Sequence, residues 1–203
     1  MKIICVGRNY HEHILELKNP APKELLFFLK PETAIPLKNQ PFFIPDFSQE
    51  IHHEIELVIK INNTGKHIQE KFAHKYYNEL TLGLDLTARD IQKKLKNKGE
   101  PWEKAKAFDG SAPIGRFIDK KNIKNINNLN FHLSVNKKIT QIGNTKNMIF
   151  QIDYIISYIS QYITLKKGDL IFTGTPKGVG QIRKNDILEG FIENDKILEI
   201  KVK

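Results

Sequence analysis

The stretch IHHEIELVIK, residues 51–60, reads as a β-strand from its isoleucine, leucine and valine run, yet it carries two carboxylates two positions apart. Alternate strand residues share a face. Glu54 and Glu56, with His52 before them, are therefore expected to point one way, while Ile55 and Leu57 point the other. Two glutamates on one face repel each other, and unpaired carboxylates are costly to bury. The pattern asks for solvent, a basic partner or a cation held between them. A third acid, Asp85, stands in LTLGLDLTARD (80–90) at the end of another apolar run, where strand is expected to give way to helix. Three oxygen ligands without cysteine favour a hard divalent ion, Mg²⁺ or Mn²⁺, over Zn²⁺. Spacing alone leaves a second reading open, in which these are ordinary strand and cap carboxylates.

Around these acids the 203 residues suffice for one domain with a sizeable core, and the expectation is a single domain over 1–203. Cys5, the lone cysteine, cannot form an internal disulfide and suits a reducing compartment, so a cytoplasmic location is expected. No apolar run approaches the ~18 residues of a membrane span, and membrane association is not expected. Lysine and arginine number 32 against 23 acids, a net charge of +9. The lysines are scattered, without a basic stripe or interleaved aromatics, so nucleic acid is not an expected partner and small anions are.

Periodicity and turn residues supply the elements. Strands are expected at KIICVG (2–7), LLFFLK (25–30, buried), 51–61, LTLGLDL (80–86), DLIFTG (169–174) and the pair FIEN and KILEIKV around Asp195. FHLSVNKKITQ (131–141) reads as a hairpin, and NQPFFIPDFSQ (39–49) as a proline-punctuated loop. Helical spacing appears in YHEHILEL, IQEKFAHKYYNEL (68–80), TARDIQKKLKNKG (87–99, with Thr87 as N-cap and Gly99 as stop) and the 149–165 segment. Arg89 and Asp90 read as an ion pair at that helix start. Strands outnumber helices, which predicts an α+β fold on curved, mixed sheet.

Seven motifs in one order, GRNYHEHILEL (7–17), FLKPETA (28–34), IHHEIEL (51–57), GLDLTARDIQ (83–92), KAFDGSAPIG (106–115), NMIFQI (147–152) and GDLIFTGTPKGVG (168–180), resemble the fumarylacetoacetate hydrolase family. Within it the chain is similar to the small acylpyruvases that also decarboxylate oxaloacetate. The resemblance implies a curved mixed β-sheet roll with a few peripheral helices, and homodimerisation. It implies that Glu54, Glu56 and Asp85 bind Mg²⁺ or Mn²⁺, that His13 and Glu16 form the catalytic pair, and that Lys106 helps stabilise an enolate. The three-residue spacing of His13 and Glu16 agrees independently, because such residues share a helix face and a carboxylate there can orient an imidazole base. His11 and Lys104 are expected to be merely exposed. The family often carries FDTF where this chain has FDGS, so the loop beside Lys106 is expected to differ in shape.

TGTPKGVG has three glycines and a lysine but lacks the G-x-x-x-x-G-K-[ST] order of a nucleotide-binding loop. The family resemblance implies instead that this loop lines the pocket, with Thr175 a candidate donor to a substrate oxygen and Gly174 and Gly178 allowing close backbone approach. Arg8 and Gln92 are further candidates for holding a substrate carboxylate. The implied chemistry is cleavage of a C–C bond in a small anionic 2-oxo acid, acylpyruvate hydrolysis or oxaloacetate decarboxylation, through a pyruvate enolate. Isomerisation or decarboxylation of a longer unsaturated dicarboxylic 2-oxo acid is the alternative within the family. A non-catalytic basic binding protein is the alternative of another class.

Overall fold

In the computed structural model, which describes residues 1–17, 20, 22–37 and 40–203, the chain runs β1 (Ile3–Gly7), α1 (His11–Glu16), β2 (Leu26–Lys30), β3 (Ile51–His53), β4 (Ile55–Ile61), α2 (Glu70–Ala73), β5 (Tyr77–Leu84), β6 (Thr87–Ala88), α3 (Arg89–Lys98) and α4 (Glu103–Lys106). It continues with β7 (Ile118–Asp119), β8 (Asn130–Val135), β9 (Lys138–Asn144), α5 (Ile152–Tyr162), β10 (Leu170–Phe172), β11 (Gly180–Gln181), β12 (Ile187–Ile192) and β13 (Asp195–Lys201). The class is α+β, with mixed sheet and few helices. None of the described helices is long and apolar enough to cross a membrane.

Six strands form one sheet in the order β2-β1-β10-β4-β5-β7, parallel only between β1 and β10. A four-stranded antiparallel sheet runs β13-β12-β8-β9, and a three-stranded one runs β11-β3-β6. Alternation along the central strands splits the large sheet between two cores. Ile4, Val6, Leu57, Ile59 and Ile171 join the main core with α5 and the four-stranded sheet, while Ile3, Cys5, Val58, Leu170 and Phe172 pack on the opposite face. Both faces of β1, β4 and β10 are thereby covered, which is why these strands are apolar almost throughout.

The expected strand at 51–61 is two strands. Pairing of β4 with β5 ends at Ile55 opposite Leu84, and the ribbon resumes as β3 with β6 in another sheet, Ile51 opposite Ala88. Between them only the Asp85 N–H to Glu54 O bond, 2.9 Å, bridges the chains. Glu54 and Asp85 therefore sit side by side at a bend in a continuous two-stranded ribbon. The bend also separates His52 from the glutamates: it lies on β3 against Glu50 at 3.0 Å and is not in the carboxylate cluster.

Three further expectations differ. Residues 68–80 hold one short helix, α2, and then turn into β5, because Tyr77 pairs with Ile61 across a bulge and the sheet claims the segment. Thr87 belongs to β6; Ala88 is the cap residue of α3, and Gly99 closes the helix in the left-handed conformation as expected (φ 68°). β2 is an edge strand, half-exposed except at Lys30. The 131–141 hairpin is present, turning on Asn136 and Lys137, both at positive φ. Asn39, the first residue of the proline-punctuated loop, lies outside the described residues.

Candidate metal centre and active site

The bend gathers three acids from two strands. Glu54, Glu56 and Asp85 are all buried, and each offers an oxygen within 4.8 Å of the others. Lys106, at the end of α4, donates to Glu54 Oε2 (2.9 Å), Asp85 Oδ2 (2.7 Å) and Thr87 Oγ1 (2.6 Å). All three ammonium protons are thus spoken for, so its influence on a ligand acts through its field rather than through a free donor. The Thr87 hydroxyl, in turn donating to Asp85 O, serves as anchor for this lysine rather than as a helix cap.

Two further cations join them that sequence reading did not single out for the site. Lys30, fully buried at the end of β2, pairs with Asp85 Oδ1 at 2.8 Å and donates to Ser111 O and Oγ. Its motif, FLKPETA, was visible, but nothing local distinguishes it from a strand-end lysine. Arg89 does not pair with Asp90. Its Nη2 donates to Glu54 Oε1 and its Nη1 to Gln92 Oε1, while Asp90 accepts from Ser48 Oγ and from the backbone N–H of Gln49 and Ile91. The reason is placement: the first turn of α3 abuts the ribbon bend, putting the guanidinium over Glu54.

The acids divide electrostatically. Burial opposes ionisation of Glu54, but Lys106 and Arg89 overcome it and hold the carboxyl well below the usual range. Glu56 is pushed well above that range by burial and by the charges of Asp85 and Glu54. It accepts one backbone N–H, from Gly174 (2.7 Å), and pairs with no cation among the described residues. A buried carboxylate facing two others without a counter-charge is what an all-oxygen divalent-ion site requires, and the donor set fits Mg²⁺ or Mn²⁺. Burial works against the charge of Lys106 too, yet Asp85 and Glu54 keep its pKa raised.

Gly174 has φ +98°, and a Cβ there would lie 2.6 Å from Asn9 Cβ, so only glycine lets this N–H reach Glu56. Gly178 (φ +95°) is equally constrained, since its Cβ would lie 2.2 Å from Thr140 O. Its N–H donates to Glu16 Oε1 at 3.0 Å, and Glu16 Oε2 meets His13 Nδ1 at 3.1 Å. Burial lowers the His13 pKa, Glu54 and Glu16 opposing, so the imidazole is neutral at pH 7. With Nδ1–H directed at Glu16, Nε2 is left as the basic nitrogen.

Thr175 is fixed from the other sheet. Gln141 of β9 donates to Thr175 Oγ1 (2.9 Å) and Pro176 O (3.0 Å), and its carbonyl accepts from Ile55 N–H and His53 Nδ1. This one buried amide ties the ribbon bend to the TGTPKGVG loop, a tie sequence reading missed because its partners lie over thirty residues away. The remaining Thr175 contact, to Pro176 O, is long at 3.4 Å, which leaves its hydroxyl proton available.

Glu54, Glu56, Asp85, Lys106, His13, Thr175, Arg8 and Gln92 all line one cavity of about 40 Å³, walled also by Phe28, Trp102 and Lys96. Every residue expected at the site is therefore brought to it, save only that Glu16 reaches the cavity through His13. Glu16 lines an adjoining open cleft of about 500 Å³. His11 and Lys104 are exposed as expected.

A fold of mixed sheets bearing this acid cluster defines a class, and the match to known proteins gives it a name: the chain belongs to the fumarylacetoacetate hydrolase family, whose C-terminal-domain model matches residues 2–202. It is 42% identical over 200 residues to the mitochondrial oxaloacetate tautomerase FAHD1 of Bos taurus, covering 98% of this chain and 90% of that one. It is 46% identical over 189 residues to the mitochondrial oxaloacetate decarboxylase of Dictyostelium discoideum, covering 93% and 87%. Fumarylpyruvate hydrolase from Pseudomonas aeruginosa, solved in complex with Mn²⁺ and pyruvate, superposes with a TM-score of 0.93 at 33% identity, covering 100% of this chain and 89% of that one.

Proposed function

We propose that the protein is a divalent-metal-dependent enzyme that cleaves a C–C bond in a small 2-oxo acid, by oxaloacetate decarboxylation, acylpyruvate hydrolysis or both. The observation that carries this is the buried triad Glu54, Glu56 and Asp85, with no cation paired to Glu56 among the described residues, in a cavity that also holds His13. Three carboxylates face Lys106, Lys30 and Arg89, and Arg8 and Lys96 line the same cavity, so with a divalent ion bound the site is net positive and suits a dianionic 2-oxo acid.

Glu54, Glu56 and Asp85 would hold Mg²⁺ or Mn²⁺, which when bound supplies Lewis-acid polarisation of the substrate's 1-carboxylate and 2-oxo oxygens. Arg8 and Gln92 orient the carboxylate. Lys106, anchored on Glu54 and Asp85, provides a fixed positive field for the charge that develops on the 2-oxo oxygen as the enolate forms. In hydrolysis His13 Nε2 takes a proton from water, whose oxygen adds to the distal carbonyl that Thr175 polarises. The C–C bond then breaks with its electron pair passing to the pyruvate enolate. In decarboxylation the C3–C4 bond breaks, CO₂ leaves and the same enolate results. Protonation at C3 completes both.

The names of the bovine and amoebal relatives favour oxaloacetate over longer acids, and the bovine name adds a second reading, keto–enol interconversion of oxaloacetate. His13 serves that too, its free Nε2 moving a proton to or from C3 with no bond to carbon broken. Homodimerisation and a reducing, cytoplasmic setting belong to the same proposal, the latter supported by the single buried Cys5.

Purified protein stripped with chelator, then assayed against oxaloacetate, acetylpyruvate and longer acylpyruvates, tests the reading. Activity is expected to return with Mg²⁺ or Mn²⁺ better than with Zn²⁺. Full activity after exhaustive chelation overturns it.

A further inference from the structure

Helix α3 presents Arg89, Gln92 and Lys96 along one side, at spacings of three and four residues, and all three line the cavity. The first two are engaged: Arg89 holds Glu54 and Gln92. Lys96, one turn further out, has no ion-pair or hydrogen-bond partner among the described residues. Its ammonium lies 5.3 Å from the ring centre of Trp102, which itself packs edge-on against Phe28 at 6.0 Å. Burial and the like charges of Arg89, Arg8 and Lys106 lower its pKa to about 8. A half-buried cation held among cations is a costly arrangement unless an anion comes to it.

Its position says which anion. Arg8 lines only the inner cavity, whereas Lys96 lines both that cavity and the open cleft, at their junction. Helical rise sets Lys96 about 10 Å along the axis from Arg89, and helix side chains lean toward the N-terminus, here toward the triad. A short molecule with one end at the triad has its other end in reach of this ammonium.

Resting on the 2-oxo acid reading above, we propose that Lys96 receives the second carboxylate of a short dicarboxylic 2-oxo acid such as oxaloacetate, and thereby selects it over acylpyruvates that are uncharged at that end. The kinetic consequence is specific. Decarboxylation moves the charge of that carboxylate onto the enolate as neutral CO₂ leaves, so a cation gripping it stabilises bound substrate more than the transition state. Lys96 therefore tightens binding without accelerating C3–C4 cleavage, and it favours reactions in which the second carboxylate survives.

Lys96→Met keeps the apolar stem on Trp102 and removes only the charge, so the fold is retained. In the Mn²⁺-loaded enzyme it is expected to raise KM for oxaloacetate at least about 10-fold, the scale of a lost charge-assisted contact, with kcat for decarboxylation no lower and KM for acetylpyruvate unchanged. Lys96→Arg should keep the parental KM. Equal KM changes for the two substrates, or none, overturn the assignment. Calorimetric titration with succinate and with butyrate, which differ by the second carboxylate, gives a readout independent of turnover. Parent should prefer succinate at least about 10-fold, and Lys96→Met should lose that preference. A parent that prefers succinate yet turns over no 2-oxo acid refutes the catalytic reading and leaves Lys96 in place; one without the preference refutes Lys96.

Discussion

The same motif of one lysine bridging two carboxylates occurs twice among the described residues. Lys106 joins Glu54 and Asp85 at 2.9 and 2.7 Å, and Lys196 joins Glu189 and Glu199 across β12 and β13 at 3.1 and 2.6 Å. The distances barely differ. What differs is water: the Lys106 trio is 2–7% exposed, the Lys196 trio 20–46%. On the outer sheet, solvent and salt screen the interaction and the side chains lose entropy to make it. At the ribbon bend the charges interact strongly, and removing one unbalances a buried network. Distance alone does not make a site; burial does.

The largest effect is expected where the buried network carries chemistry. His13→Ala should lose roughly 10²-fold or more in acylpyruvate hydrolysis, the scale of a positioned base, and less in oxaloacetate decarboxylation, which needs no activated water. Equal losses measured on both substrates would mean that the His13–Glu16 pair only orients substrate. The pH profile follows from burial: the His13 pKa is lowered below its ordinary 6.5, the imidazole is neutral above that lowered value, and kcat/KM for hydrolysis should fall only as pH drops through it. An acid limb centred above 6.5 contradicts the assignment.

Next comes Lys106→Met, which takes one of two cations from each of Glu54 and Asp85, leaving Arg89 and Lys30. Chemical denaturation should register a loss of about 3–5 kcal/mol, the usual cost of breaking a buried pair from one side, and both reactions should slow together. The smallest effect is the outer counterpart. Lys196→Met should leave the thermal midpoint and both activities unmoved, and a midpoint drop matching that of Lys106→Met would erase the contrast between the two trios.

How much of this was legible in the sequence follows the same division. Glu54, Glu56 and Asp85 stood out because an apolar strand advertises an acid, and His13 with Glu16 because helical spacing is local. Lys30, Arg89 and Gln141 did not. Their partners arrive through the β4–β5 register, the bend at Glu54 and the approach of the second sheet, and no local pattern encodes those. The bend itself was hidden, since IHHEIELVIK alternates well enough to pass for one strand; so was β5 beginning at Tyr77, where pairing with Ile61 overrides the helical spacing of residues 68–80. The expectation that the two glutamates simply repel each other also needs correcting. Glu54 is paired with both Lys106 and Arg89, and the repelled acid is Glu56.

That correction chooses the decisive experiment. Glu56→Gln keeps an oxygen for the Gly174 N–H and turns an amide toward Asp85 and Glu54, so the fold should hold while one metal ligand and its charge are lost. Calorimetric titration of Mn²⁺ into metal-free protein should give one site per chain in the parent and a binding isotherm too weak to fit in Glu56→Gln, at an unchanged or higher thermal midpoint. A Glu56→Gln protein that binds Mn²⁺ as the parent does would show that the three buried carboxylates are not a metal site.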